Sequence, residues 1–252
     1  MSDTEIRKRM MQRLLAAQTP WGRFRLNTYV QAKHFLWLAV VHSTLFLKRT
    51  LDLAASVVAL LLLTPLFLPL ALLIKLDGGP VFFRQKRIGL NGREFQMLKF
   101  RTMCVDAEAK LKDVIPKNVK PANITVLIPN DPRITKIGRL LRQTCLDELP
   151  QFVNVLRGEM SLVGPRPPMP REVVRYSQTD RRRLLVRPGI TCLWQVGERT
   201  GGLLEIGDRF AIEFPEQVEL DVRYIESQSF GRDLWILAKT VPAILFGKVI
   251  KP

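Results

Sequence analysis

From Leu53 to Ile74 the chain reads LAASVVALLLLTPLFLPLALLI, without one charged side chain. That is close to the ~20 residues a helix needs to cross a ~30 Å hydrocarbon core. A run so long and so uniformly apolar also argues against the reading of a buried soluble core helix. Thr64-Pro65 sits at its middle, with Pro69 a turn later. A mid-helix proline removes a backbone hydrogen bond and costs ~3 kcal/mol unless the chain bends. A threonine hydroxyl can bond a preceding carbonyl and support such a bend.

Lys48 and Arg49 lie before the run, and Lys75, Arg84, Lys86 and Arg87 after it. A spanning helix gathers Lys and Arg on its cytoplasmic flank. Two basic flanks therefore predict that both ends lie on the same, cytoplasmic side. The expectation is a re-entrant helix over residues 48–76 that enters the membrane, breaks at Thr64-Pro65 and returns. A kinked spanning helix is the alternative, since proline is tolerated in such helices. Asp52 falls at the entrance, where an acid is far cheaper than at the bilayer centre. Residues 35–47 (FLWLAVVHSTLFL) form a second apolar stretch, too short to span comfortably. With the basic residues 5–33 before it, it makes residues 1–47 an N-terminal extension, an interfacial helix or a homodimer arm. No early apolar core or small-residue cleavage site marks a secretory signal.

The 252 residues carry 39 Lys plus Arg against 23 Asp plus Glu, a formal +16. Such a balance calls for anionic partners: an acidic membrane surface, phosphorylated substrates or nucleic acid. Neither aromatic-basic interleaving nor a groove-reading helix is clear, so no nucleic-acid partner is expected. Cys104, Cys145 and Cys192 are far apart, and His34 and His42 lie upstream of all three. That pattern argues against a structural zinc site and fits a reduced, cytoplasm-facing protein.

Residues 77–252 read as a cytoplasmic α+β domain, rich in helix with a small sheet. Asn91-Gly92 predicts a type I′ hairpin turn between Val81–Phe83 and Glu94–Phe100. Asp106 to Ile115 reads as a helix and 116–130 as a loop. Asn130-Asp131-Pro132 reads as the start of a helix whose face includes Ile134, Ile137, Leu140 and Leu141. Pro150 opens a helix that stops at Gly158. Residues 162–168 should be extended, Arg187-Pro188-Gly189 a turn, and Phe230–Phe246 a final amphipathic helix.

The densest constellation of chemistry is RQTCLDELPQ, from Arg142 to Gln151. Adjacent carboxylates before a helix start can hold Mg²⁺ together with phosphate oxygens, and nearby arginines keep an aspartate ionised. Thr144-x-x-Asp147 also fits a plain capping box. Cys145 has no histidine near it in sequence and reads as inert. Gly164-Pro165-Arg166-Pro167 and Arg187-Pro188-Gly189 each hold an arginine on stiffened backbone, suited to bidentate phosphate contacts.

These stretches together resemble the bacterial sugar transferases, the monotopic polyprenyl-phosphate phosphoglycosyl transferases. The resemblance is carried by LKRTLDLAAS, the Pro-broken segment, GPVFFRQKRIGLNGREFQMLKFRTM, NDPRITKIGRLLRQTCLDELPQFVNVLRGEMSLVGPRPP, RPGITCLWQV and DVRYIESQSFGRDLWILAKT, from about Lys48 to Thr240. It implies an enzyme that moves sugar-1-phosphate from a UDP-sugar onto undecaprenyl phosphate and releases UMP. It implies Asp147 as the nucleophile that becomes an aspartyl-phosphosugar, and Glu148 with Asp147 as ligands of Mg²⁺. It places Arg142, Arg166, Arg187, Lys99 and Arg101 near the phosphates or nucleotide. Thr64-Pro65 stands for the usual Ser-Pro of the helix break. It further implies the cytoplasmic face of a bacterial inner membrane and the first membrane step of exopolysaccharide, lipopolysaccharide or related glycoconjugate assembly. Two positions depart from the pattern: Cys192 where glycine is common, and Cys145 where serine is usual. The alternative is a membrane-anchored basic binding or structural partner of such an assembly; the intact Asp147-Glu148 pair argues for the enzyme.

Overall fold

The structure, a computed structural model, describes residues 18–117, 128, 130–199, 202–203 and 212–246, with positions 5, 7, 8, 11 and 15 before them. The chain forms two compact units, Met1–Leu47 and Lys48–Pro252. One helix, α1, runs over Pro20–Lys75. The hairpin β1 (Phe82–Ile88) and β2 (Glu94–Phe100) follows, then the single turn α2 (Leu111–Val114), α3 (Lys136–Gln143) and α4 (Gln151–Leu156). The remaining elements are β3 (Ser161–Val163), α5 (Pro170–Val173), β4 (Gly189–Thr191), β5 (Glu198–Arg199), β6 (Gly202–Leu203), α6 (Phe214–Glu226) and α7 (Phe230–Phe246). The class is α+β, helix-rich with three two-stranded sheets among the described residues.

The apolar stretch is little buried: 11% of its most apolar window is covered by protein. That removes the reading of a soluble core helix, which would be enclosed. Helical hydrogen bonding continues through Thr64-Pro65, so the expected interruption is not a gap in the helix; Pro65 and Pro69 lie inside α1. Pro65 removes one N–H only, and the Thr64 hydroxyl bonds the Leu60 carbonyl at 2.6 Å, so the helical turn persists.

Within Lys48–Pro252 both ends of the apolar segment are fastened to the same body. At the first end, the Lys48 ammonium donates to the Val163 carbonyl at 2.9 Å and pairs with Asp233 at 2.7 Å. Arg49 donates to the Val155 and Leu156 carbonyls, at the C-terminal end of α4. Asp52 is almost fully buried and accepts from the Ser161 hydroxyl and the Leu162 N–H. At the second end, Leu70 and Ile74 pack with Phe100 and Leu141, and Phe100 meets Phe67 edge-on at 5.2 Å. Leu61 and Leu62, between the two ends, are among the most exposed large apolar residues of the unit. Gly78, at φ 82°, closes α1 by donating to the Lys75 carbonyl.

The hairpin turn has the expected geometry: Asn91 at φ 55°, ψ 29° and Gly92 at φ 77°, with the Arg93 N–H on the Leu90 carbonyl. β1 is longer than read from sequence, because its charged residues pair across the full length of β2. Asp106–Ile115 is mostly turn, with helix only at Leu111–Val114. Most of the 116–130 loop lies outside the described residues. The start of α3 falls later than Asp131-Pro132. Asp131 folds back on Arg133, accepting its backbone N–H at 3.0 Å and its guanidinium at 2.7 Å. Thr135 caps the helix instead, accepting from the Gly138 N–H. The bounds of α7 match the sequence reading. The main core joins Met97, Val155, Met160, Leu162, Leu193 and Ile236 beneath these elements.

Candidate active site

Asp147 and Glu148 lie on a 3₁₀ turn, Leu146–Glu148, between α3 and α4. Cys145, at φ 55°, is the left-handed residue that swings the chain from one helix into this turn. The capping-box reading fails: the Thr144 hydroxyl donates to the Leu140 and Leu141 carbonyls, leaving Asp147 for other work. Lys99 reaches across from β2. Its ammonium lies 2.9 Å from Glu148 Oε1 and 3.8 Å from Asp147 Oδ2, so one cation serves both carboxylates.

Asp147 is 7% exposed. Burial pushes its pKa up to about 6 from 3.8; Lys99 pulls it down, the Glu148 charge raises it, and Arg142 lowers it. The net shift says that this buried charge has less counter-charge than it needs. Two hard carboxylate donors with a deficit of positive charge suit a divalent cation of the Mg²⁺ kind, which keeps waters and takes phosphate oxygens. Among the described residues no cluster of three or more His, Cys, Asp or Glu could form a closed metal cage. A shell shared with substrate fits that donor set.

Strand alternation sets the pocket beside the dyad. Arg87 and Gln85 on β1 and Met97 and Lys99 on β2 share one face of the hairpin, in register Gln85↔Met97. The pocket is lined by Arg87, Lys99, Glu148, Gln151, Arg166 and Gln195, among others. Arg87 is buried, donating to the Pro167 carbonyl at 2.7 Å and to Gln85 Oε1. Burial, reinforced by Arg166, lowers its pKa to about 9, the mark of a cation held beside another cation. Sequence reading took Arg87 only as a basic flank. Its partner Gln85 at i−2 on the same strand face was the available signal.

The other expected phosphate ligands separate. Arg166 joins Lys99 and Arg87 in the pocket. Arg142 stands behind the dyad, its Nε on the Thr102 hydroxyl at 3.0 Å, close enough to act on Asp147 by charge. Arg187 is exposed and donates to the Gly158 carbonyl. Arg101 does not reach the cluster. Its guanidinium holds Asp77 and the carbonyls of Ile74, Pro80 and Met103, locking the end of α1 to β2. β2 ends at Phe100, so the alternation that aims Lys99 at the dyad no longer governs residue 101.

The two arginine turns do meet. β3 and β4 pair in parallel, and the Gly164 and Gly189 backbones cross in contact. A Cβ on Gly189 would stand 2.1 Å from Gly164 N, and one on Gly164 2.5 Å from the Arg187 carbonyl oxygen. Gly189→Ala is expected to force the turns apart, costing about 1–3 kcal/mol. Thermal unfolding would register it, and the pocket that Gly189 and Arg166 line together would be disturbed.

Comparison with known proteins identifies relatives of the chain. The model of the bacterial sugar transferase family matches residues 43–247. The chain is 43% identical over 206 residues to "Galactosyl transferase CpsE" of Streptococcus agalactiae, covering 82% of this chain and 44% of that protein. It is 40% identical to "Exopolysaccharide production protein ExoY" of Rhizobium meliloti, covering 80% of this chain and 86% of the relative. It is 37% identical to "Undecaprenyl-phosphate galactose phosphotransferase" of Salmonella typhimurium, covering 81% and 41%. The chain thus spans less than half the length of the first and third of these and most of the second. With the dyad, the cationic pocket and the anchored apolar helix in one body, the chain belongs to the bacterial sugar transferase family.

Proposed function

We propose that the protein transfers sugar-1-phosphate from a UDP-sugar to undecaprenyl phosphate, releasing UMP, at the cytoplasmic face of a bacterial inner membrane. The observation that carries this reading is the pair of buried Asp147 and half-buried Glu148 sharing Lys99, beside a pocket lined by Arg87, Lys99 and Arg166. Phosphoryl transfer chiefly needs positioning and charge neutralisation, and this cluster offers both.

In the first step an Asp147 oxygen attacks the β-phosphorus of the UDP-sugar. The bond from that phosphorus to the bridging oxygen breaks, and its electron pair leaves with UMP. In the second step a phosphate oxygen of the lipid attacks the same phosphorus. The Asp147–phosphorus bond breaks and the carboxylate is restored. Two half-reactions on one carboxylate give ping-pong kinetics. Lys99 keeps the two carboxylates together, Arg142 favours ionised Asp147, and Arg166 and Arg87 meet the diphosphate charge. Asp147 and Glu148 would hold Mg²⁺, which when bound neutralises charge on phosphate oxygens.

The apolar helix serves this reaction as a re-entrant segment: both its ends are fastened to one folded body. Pro65 and Pro69, each without a backbone N–H, are where the helix would bend to enter and return. Labelling of single cysteines placed at Leu51 and Lys75 is expected to show both on the cytoplasmic side. Labelling on opposite sides defeats the re-entrant reading.

The function is tested by UMP release over a panel of UDP-sugars with undecaprenyl phosphate and Mg²⁺. At least one UDP-sugar is expected to give UMP and a lipid diphosphosugar, and chelation of Mg²⁺ to stop both. Salt-sensitive nucleic-acid binding with no UMP from any donor would replace the enzyme with a basic binding module.

A further inference from the structure

The surroundings of Cys192 give it a task. It is 2% exposed and N-terminal to the 3₁₀ turn Leu193–Val196. In such a turn the side chains at i and i+3 eclipse, which sets Cys192 over Gln195. The Gln195 N–H bonds the Cys192 carbonyl at 3.1 Å, and the Cys192 Sγ lies 3.1 Å from Gln195 Oε1. A thiol donates to oxygen more readily than its sulfur accepts, so the contact favours one orientation of the amide. The oxygen faces the thiol and the NH₂ group faces away.

Gln195 is 8% exposed and lines the pocket with Arg87, Lys99, Glu148 and Arg166. Among the described residues its Nε2 has no hydrogen-bond partner, and it is not one of the fully buried unpaired atoms, so it stays accessible. A donor that stays accessible in a pocket takes water or a ligand as its partner. The cations of the pocket suit phosphate; a neutral amide donor suits a neutral oxygen.

We propose that Cys192 is a positioning residue for donor-substrate recognition, holding Gln195 so that its NH₂ group donates to a hydroxyl or carbonyl oxygen of the nucleotide sugar. The proposal rests on the reading of the pocket as a UDP-sugar site. A glycine or alanine at position 192 would leave the carboxamide free to turn over and present its oxygen instead.

The test measures Kd for UDP, UDP-glucose and UDP-galactose by calorimetry, with KM and kcat for UMP release alongside. The proteins compared are wild type, Cys192→Ala, Cys192→Ser and Gln195→Leu. One neutral hydrogen bond is worth about 1 kcal/mol, so Cys192→Ala and Gln195→Leu are expected to weaken donor binding about 3–10-fold, with kcat changed far less. Cys192→Ser keeps a donor and should bind like wild type. A parallel loss for UDP places the acceptor on the nucleoside; a loss confined to the UDP-sugars places it on the sugar. Unchanged binding in Gln195→Leu overturns the proposal, and so does equal loss in Cys192→Ala and Cys192→Ser, which would mark a packing effect. Binding that follows the proposal without any UMP release defeats the transferase reading alone. Wild type that binds none of the three ligands overturns both.

Discussion

Asp147→Asn is expected to abolish UMP release and, in metal-free protein, to raise the melting temperature. The loss of activity follows because a neutral amide cannot act as the carboxylate nucleophile that displaces UMP and forms the acyl phosphate. The gain in stability follows from burial. The folded state holds the Asp147 carboxyl at about 6, above its ordinary 3.8. A folded pKa above the unfolded one favours the protonated form. The stabilisation is therefore full below pH ~4, falls as the pH rises toward 6, and is absent above it. Two units correspond to about 3 kcal/mol, and Asn keeps the neutral form at every pH. Unfolding scans with a chelator should show the wild type losing stability between pH 4 and 6 relative to the variant. At pH 7.5 the variant should melt several degrees higher. Adding Mg²⁺ should raise the wild-type midpoint and narrow the gap. A variant less stable than wild type at pH 7.5 would mean that Asp147 is held by structural partners and not kept short of them.

Lys48→Met should have the largest cost to folding. Lys48 is 9% exposed and its ammonium is shared by Asp233, Tyr224 and the Val163 carbonyl. Asp233 is 1% exposed, and its other oxygen accepts from the Tyr224 hydroxyl at 2.7 Å. Removing the lysine leaves a buried carboxylate with its main counter-charge gone, a loss of about 3–5 kcal/mol. The double variant Lys48→Met/Asp233→Leu should recover most of it, because the penalty lies in the unpaired charge. Denaturant unfolding in detergent measures both. The same pair joins the start of the membrane segment to α7, so the single variant should also loosen the anchorage and raise protease cleavage near residue 48. Equal stability of the single and double variants would show that the pair is not coupled.

Much of this was legible from the chain. The Asn91-Gly92 hairpin, the helix ending at Gly158 and the terminal helix Phe230–Phe246 follow from signals only a few residues long. Less legible was the start of α3, where the local Asp131-Arg133 pair competed with the cap and won. The dyad could be picked out because two adjacent acids are conspicuous in so basic a chain. Its Lys99 partner could be named, but the geometry that makes one ammonium serve both carboxylates could not.

By itself the sequence determined the membrane segment, the hairpin, the acidic pair and the two stiffened arginine turns, because hydrophobic length, turn geometry and local charge are properties of neighbours along the chain. Only the tertiary structure decided which cations serve the pocket. Arg101, Arg142, Arg166 and Arg187 look alike locally, yet only Arg166 lines it, and Arg87 joins from the basic flank. The choice depends on where β2 ends, on the crossing of Gly164 with Gly189, and on contacts between residues far apart in sequence. The same holds for the apolar helix. Its composition says that it meets a bilayer, but Lys48, Asp52, Leu70 and Ile74 reveal that both its ends return to one folded body.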